Sequence, residues 1–212
     1  MRLTHPITHW IITIFPLAAV LAALYFYFGN EQDIIVFFRE YRTANPALTS
    51  VFTAITNFGN AVLYPVFAWL AYKAYKRGTP QERRFIIGFI VIQLLVALAA
   101  TRFLKIAIGK PRPDADGIWT PWTTKGSHHS MPSGHTTEIT GACTSLSLGY
   151  SKLLISLSMG LITLMIGFSR IYLGWHHVSD VAAGLALGSL TGFAVRAYTL
   201  HKSPNKKRKA NT

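Results

Sequence analysis

The sequence predicts an all-α protein that crosses a membrane as one bundle of six helices and carries an active site at its outer face. Half of its 212 residues are hydrophobic and only 14% are charged, which is too apolar for an ordinary soluble domain. Several segments approach the roughly 20 apolar residues that a helix needs to cross a bilayer, and a helix satisfies its own backbone in lipid. We therefore predict a single membrane domain over residues 1–212.

Six apolar segments are the predicted spans. Their approximate bounds are 11–28, 51–72, 85–108, 136–150, 153–168 and 178–199. The fourth is rich in Thr, Ser, Gly and Ala, so we expect it to be buried among the other helices. Small residues in the sixth, at Ala183-Gly184 and Gly188-Ser189, permit close contact with a neighbouring helix.

The segments outside the spans carry weaker signals. Residues 30–50 mix apolar and charged side chains and fit either a short interfacial helix or a loop lying on the bundle. Residues 110–131 hold several Pro and Gly residues and two tryptophans, so we expect irregular structure over the site, with the tryptophans near the lipid headgroups. The first span is predicted to be a retained anchor rather than a cleaved signal. The single Cys143 has no cysteine partner in the chain, and a helix-packing role is expected for it.

The charge distribution predicts an orientation. A net charge of +13 first raises nucleic-acid binding. With a cytoplasmic N-terminus, however, 13 of the 21 Lys and Arg residues lie on the cytoplasmic side, and the positive-inside rule then favours both termini in the cytoplasm. We interpret the basic tail at 201–212 as an anchor near anionic headgroups, not as a nucleic-acid site. In this topology three polar clusters lie together on the outer side.

The first cluster holds His176 and Asp180 at the start of the sixth span. Side chains four residues apart share one helix face, so the carboxylate can accept a hydrogen bond from the imidazole and leave its other nitrogen for a reactant. The pair therefore predicts an oriented nucleophile or base. Ionisable residues beside membrane segments are costly, which favours a functional role.

Three cations lie at helix ends on the same side: Lys105, Arg112 and Arg170. Few acidic residues accompany them, and an excess of positive charge suits an anionic ligand, for which arginine forks match phosphate oxygens well. Snorkelling toward lipid phosphates explains any one of them but not all three together.

The third cluster opens the fourth span with Pro132, Ser133, Gly134 and His135. Ser133 is expected to cap the helix, Gly134 to allow close backbone approach, and the helix N-terminus to favour a phosphate. His135 can then protonate a leaving oxygen and later activate water.

Together the three clusters resemble the signature of the phosphatidic acid phosphatase type 2 family. The patterns KxxxxxxRP, PSGH and SRxxxxxHxxxD are matched without departure between residues 105 and 180. The resemblance implies that His176 attacks phosphorus to form a phosphohistidine, that Asp180 holds its ring, and that His135 protonates the departing oxygen. It also implies no metal or other cofactor, and phosphoryl binding by five residues: Lys105, Arg112, Ser133, Gly134 and Arg170.

Other functions fit the sequence less well. A metal-dependent hydrolase has histidines and aspartates to draw on, but no HExxH-like spacing or Cys cluster supports it. An anion transporter fits the cations, but no interrupted helix pair or half-repeat is visible. A haloperoxidase is disfavoured by the six apolar segments. A lipid phosphotransferase that uses the same intermediate stays open.

We therefore expect an integral lipid phosphatase of a bacterial inner membrane, active at the periplasmic or exterior face. Its partner is a lipid phosphate: undecaprenyl pyrophosphate, phosphatidylglycerol phosphate, phosphatidic acid or a lipid A phosphate. Glu138, one turn beyond His135, either favours the positive end of the helix dipole or contacts the substrate headgroup. The sequence indicates no role for His128, His129 or His177.

Overall fold

A computed structural model of the chain describes residues 5–115 and 117–201, and within them every regular element is helical. The helices are α1 (Pro6–Phe28), α2 (Glu31–Ala44), α3 (Pro46–Phe58), α4 (Tyr64–Arg77), α5 (Pro80–Gln93), α6 (Thr101–Ile108), α7 (Gly134–Tyr150), α8 (Leu153–Tyr172) and α9 (Val178–Leu200). A 3₁₀ turn, Asn60–Leu63, joins α3 to α4, and a π-helical segment, Leu94–Ala100, joins α5 to α6. The predicted all-α fold class is confirmed. The basic tail beyond His201, like Asp116, lies outside the described residues.

Four helices in the described part of the chain are long and apolar enough to cross a membrane: α1, the continuous stretch Pro80–Ile108, α8 and α9. A fifth crossing would consist of Pro46–Phe58 and Asn60–Arg77, which are bent by 43° relative to each other. The second predicted span, about 51–72, falls on this bent pair and is therefore not one straight helix. The remaining predicted span, α7, has 17 residues, so the count of six stays a prediction.

The segment between the first two spans forms a helix, which is one of its two predicted alternatives. The side chain of Asn30 accepts a hydrogen bond from the Asp33 backbone at 2.9 Å and caps α2. Ile34 and Phe38 are buried with residues of α1 and α8. Arg42 of α2 donates to the carbonyl of Tyr172 at the end of α8. These contacts fix α2 across the end of the bundle where α8 gives way to α9.

Glycines bring α7 and α9 into close contact. A Cβ at Gly184 would lie 2.8 Å from the Ser133 carbonyl, and one at Gly188 would lie 2.6 Å from the Thr137 carbonyl. Small residues at a spacing of four allow helix backbones to approach in this way. The predicted contact through these residues is therefore present. It aligns the first turns of α7 and α9, which begin at the same end of the bundle.

The fourth predicted span is interior, as its composition indicated. Most of α7 is buried, including Thr140 and Thr144, which are fully enclosed. Helices on the periphery instead expose large apolar side chains, with Phe15 of α1 63% exposed and Leu161 of α8 58% exposed. Polar residues inside and apolar residues outside are the arrangement expected of a helix bundle in lipid.

Candidate active site

The five residues between α8 and α9, 173–177, position His176. The backbone N–H of His176 donates to the carbonyl of Arg170 at 3.1 Å. Its Nδ1 lies 3.5 Å from Oδ2 of Asp180, which is on the first turn of α9. His176 is only 3% exposed and Asp180 is fully buried. The predicted pair is therefore adjacent, with the imidazole Nδ1 turned toward the carboxylate.

Asp180 accepts hydrogen bonds from groups other than His176. Oδ2 accepts hydrogen bonds from the Ser130 hydroxyl at 2.5 Å and from the backbone N–H of His177 at 2.9 Å. The hydroxyl of Ser130 also lies 3.5 Å from Nδ1 of His176. Ser130 therefore bridges the carboxylate and the imidazole. Ser130 was not among the predicted site residues, although it lies three residues before Ser133.

Lys110, which was also not among the predicted site residues, lies against the other carboxylate oxygen of Asp180. Nζ of Lys110 lies 3.0 Å from Oδ1 of Asp180 and 3.1 Å from Oε2 of Glu31 on α2. Glu31 also accepts the backbone N–H of Ser179 at 2.6 Å. Burial raises the pKa of Glu31, but hydrogen bonds from Ser179 and the charge of Lys110 outweigh it and hold that pKa below its usual range. Glu31 and Lys110 thus tie α2, the α6–α7 loop and α9 together.

The three predicted cations gather around the histidines. Nζ of Lys105 donates to the carbonyls of His129 and Ser130 at 2.8 and 3.2 Å. Arg112 donates to the carbonyl of Trp175 at 3.5 Å, directly before His176. All three positive charges act on the imidazole of His135. Lys105, Arg112 and Arg170 therefore surround one space, as predicted.

Arg170 is the most enclosed of the three cations. One guanidinium nitrogen donates to the Thr56 hydroxyl at 2.7 Å, and the group stacks on Trp175 with 4.4 Å between Cζ and the ring centroid. Its buried Nε has no hydrogen-bond partner among the described residues. An arginine fixed in this way, with a donor to spare, suits an anion.

Helix α7 begins after Ser133, as predicted, but the contacts of Ser133 differ from those predicted. Ser133 precedes the helix, but its side chain makes no capping bond, and its hydroxyl accepts from Thr136 instead. Its backbone N–H, which we expected to bind phosphate, donates to the carbonyl of Asp180 at 2.9 Å. The amides of Gly134 and His135 have no acceptor within the helix. A Cβ on Gly134 would lie 3.9 Å from Cε of Lys105, so this open turn faces the cations.

The environment of His176 keeps its imidazole neutral. Burial is the largest effect on its pKa, and the charges of Lys105 and Arg170 act in the same direction. They outweigh Asp180, which favours the protonated ring, and lower the pKa of His176 to about 3. At neutral pH its Nε2 therefore carries a free electron pair. The geometry fits a nucleophile beside a bound anion.

Comparison with known proteins identifies the arrangement. The profile of the PAP2 superfamily matches residues 87–203, which include every predicted site residue. The chain belongs to the PAP2 superfamily. This confirms the resemblance inferred from the three motifs. The predicted class of enzyme, a phosphatase acting on lipids, is also confirmed, because the PAP2 relatives matched are named as lipid phosphatases.

Individual PAP2 proteins resemble most of the chain. A lipid A 4'-phosphatase of Porphyromonas gingivalis is 25% identical over 166 residues, which are 75% of this chain and 70% of the relative. The PAP2-type phosphatidylglycerolphosphate phosphatase of Bacillus subtilis shares the fold, with a TM-score of 0.59, 24% identity and coverage of 95% and 98% of the two chains. LpxE of Aquifex aeolicus gives a TM-score of 0.52 at 25% identity, covering 76% of this chain and 93% of that one.

Proposed function

We propose that this PAP2 protein hydrolyses a phosphomonoester or pyrophosphate on a membrane lipid through a phosphohistidine on His176. The observation that carries the proposal is the placement of His176, whose Nδ1 faces Asp180 at 3.5 Å; burial, with the charges of Lys105 and Arg170, also holds the pKa of this imidazole well below its usual range. A nucleophile needs a free electron pair and a fixed orientation, and this environment supplies both.

In the first step, Nε2 of His176 forms a bond to phosphorus while the bond from phosphorus to the leaving oxygen breaks. His135, which must be in its protonated form for this step, gives a proton to that oxygen and becomes neutral. In the second step, water attacks the phosphohistidine, His135 accepts a proton from the water, and the bond to His176 breaks as phosphate leaves. Asp180 and Ser130 hold the ring in both steps. General acid–base help of this kind contributes typically about 100- to 10,000-fold in rate.

The cations take the part that a metal ion plays in many phosphoryl-transfer enzymes. Lys105, Arg112 and Arg170, with the amide of Gly134, would bind the phosphoryl oxygens and stabilise the charge of the transition state. In the two described ranges, no three His, Cys, Asp or Glu side chains converge as a metal-ligand set. Because Lys105, Arg112 and Arg170 can supply the positive charge that a metal ion would, we infer metal-independent catalysis, for which activity in excess chelator is the test.

The same proposal places the protein in a bacterial inner membrane with both termini in the cytoplasm and the active site facing outward. The charge asymmetry of the sequence supports this orientation. The candidate lipids are undecaprenyl pyrophosphate, phosphatidylglycerol phosphate, phosphatidic acid and lipid A phosphates. The similarity to a lipid A 4'-phosphatase supports including lipid A in that set.

A phosphate-release assay on this lipid panel, with purified protein in detergent, tests the proposal. We expect release from at least one lipid, its loss in His176→Ala, and unchanged release in His201→Ala, a matched histidine at the opposite end of α9. Unchanged hydrolysis in a folded His176→Ala protein would refute the mechanism. Adding an acceptor lipid tests the alternative, because a phosphotransferase would phosphorylate the acceptor instead of releasing phosphate.

A further inference from the structure

The proposed first step needs a proton on His135, and nearby positive charges oppose it. The cations that act on its imidazole come from α6, the α6–α7 loop and α8: Lys105, Arg112 and Arg170. Burial and these charges lower the pKa of His135, which precedes the predicted span 136–150, to about 4. A general acid works best when its pKa lies near the pH of the reaction. A negative charge fixed beside the imidazole would therefore help His135 to hold its proton.

Glu138 supplies a carboxylate one turn beyond His135. Residues three apart share one helix face, and Glu138 is about 4.5 Å farther along the axis of α7. Its Oε1 accepts the hydroxyl of Tyr64 at 2.6 Å, and its Oε2 accepts Nδ2 of Asn60 at 2.7 Å. An ionised carboxylate accepts hydrogen bonds at both oxygens, as Glu138 does here. These two contacts fix a negative charge close to the start of α7.

Asn60 connects Glu138 to His135. The Nδ2 group that donates to Glu138 also donates to the backbone carbonyl of His135 at 3.3 Å. Gln93 of α5 donates to the backbone carbonyl of Glu138 at 2.7 Å. The first turn of α7 is thus held by two other elements, the turn between α3 and α4 and helix α5. The carboxylate cannot move away from His135 without breaking its bond to Asn60.

No neighbouring cation cancels the charge of Glu138. In the described ranges, no Lys or Arg forms an ion pair with its carboxylate within 4.0 Å. Its charge raises the pKa of His135, against the effect of the three cations. Asp180, the other carboxylate at the site, instead pairs with Lys110 and His176. Glu138 is therefore placed to favour the protonated imidazole of His135.

We propose that Glu138 is a positioning residue for His135: its fixed negative charge stabilises the protonated imidazole until the leaving oxygen takes the proton. His135 loses one proton in that step and the leaving oxygen gains it, while Glu138 exchanges none and contacts no reacting atom. In the second step the same charge favours transfer of a proton from water to His135. The inference rests on the proposed function and adds to its site a residue outside the three signature patterns.

The kinetic test compares leaving groups that differ in their need for a proton. A lipid phosphomonoester releases an alkoxide, which needs one, whereas 4-nitrophenyl phosphate releases a phenolate that is stable as an anion. In Glu138→Gln we expect kcat/KM to fall about 10-fold on the lipid and to change by less than about two-fold on 4-nitrophenyl phosphate. Turnover of the aryl ester also shows that the variant is folded. Glu138→Asp keeps the charge and should stay within about three-fold of the native protein on both substrates.

The proton on His135 can also be observed directly, by NMR of the protein with carbon-13 at Cε1 of its histidines. The His135 signal is the one that is absent in His135→Asn. Its titration midpoint should lie at lower pH in Glu138→Gln than in the native protein, because a negative charge has been removed. Glu40→Gln is the matched control, since Glu40 is an exposed carboxylate of α2. It should leave the midpoint and both kcat/KM values unchanged.

Two results would overturn the inference and leave Glu138 a role in helix packing alone. One is an equal loss on both substrates in Glu138→Gln, and the other is an unchanged His135 midpoint in that variant. Failure of the native protein to release phosphate from any lipid of the panel would instead overturn the proposed function, whatever the midpoint shows.

Discussion

Replacing Lys110 by Met tests whether the ion cluster of Lys110, Asp180 and Glu31 is needed for stability and for catalysis. The Lys110 side chain is 6% exposed, and its Nζ lies within 3.1 Å of two carboxylates, Asp180 with a fully buried side chain and Glu31 with 27% exposure. Removing one member of a buried ion pair costs about 3–5 kcal/mol, because the partner charge stays buried without compensation. Since Glu31 can be partly hydrated, we expect about 3 kcal/mol.

The expected loss corresponds to a fall of about 6–12 °C in the apparent unfolding midpoint, at roughly 2–4 °C per kcal/mol for a chain of this length. Thermal unfolding of the purified protein in detergent measures it. We also expect kcat to fall at least about 10-fold, because Asp180 orients His176. Adding Glu31→Gln to Lys110→Met should recover part of the stability, since one uncompensated carboxylate then remains instead of two.

Lys73→Met is the matched control for this prediction. Lys73 pairs with Glu82 at 3.4 Å, but the two side chains are 51% and 42% exposed. Exposed ion pairs contribute about 0–1 kcal/mol, so the midpoint should hardly move. If Lys110→Met were no more destabilising than Lys73→Met and retained full kcat, the reasoning about the cluster would be refuted.

Four further predictions concern the site and the packing that supports it. Phosphate release should fall at least about 1,000-fold in His176→Ala. Release by the native protein should persist in excess chelator. Loss of release in chelator that is restored by added metal would contradict metal independence. Folding lowers the pKa of His176 to about 3, so the free energy of unfolding should decline as pH falls from about 6.5 toward 3. The decline should be up to about 1.4 kcal/mol per pH unit relative to His176→Asn. Parallel plots of unfolding free energy against pH for the two proteins would contradict this. Gly188→Leu should lower the free energy of unfolding by at least about 1–3 kcal/mol, because a Cβ there would lie 2.6 Å from the Thr137 carbonyl. Gly126→Ala should leave it unchanged, because a Cβ at Gly126 meets nothing within 4 Å.

The grouping of the signature residues could be predicted from the sequence because ionisable side chains are uncommon beside apolar segments. Lys105, Arg112 and Arg170 each follow an apolar run, and their placement on one side of the membrane follows from counting the spans. The spacing of His176 and Asp180 further indicated a shared helix face. The structure brings these residues together without requiring any change of their predicted grouping.

The supporting residues could not be predicted in the same way. Glu31 and Lys110 are 79 positions apart in the chain, and nothing in either local pattern indicates the pairing. Asn60 lies in a turn whose bend the hydropathy pattern does not reveal, because Pro46–Phe58 and Asn60–Arg77 are together as apolar as an unbroken span. Contacts of this kind depend on how the helices pack, and the composition of the segments does not determine that packing.

The ion cluster of Lys110, Asp180 and Glu31 also explains why the three cations around the histidines remain without an acidic partner. Asp180 lies beside the cations, and a buried carboxylate of this kind could pair with one of them and weaken anion binding. Instead, Lys110 is the lysine within 4.0 Å of Asp180, and Glu31 completes the cluster. In the described residues, Lys105, Arg112 and Arg170 form no ion pair with a carboxylate within 4.0 Å. Their charge therefore remains available to an anionic ligand, and under the proposed function Lys110 would support phosphate binding without contacting phosphate.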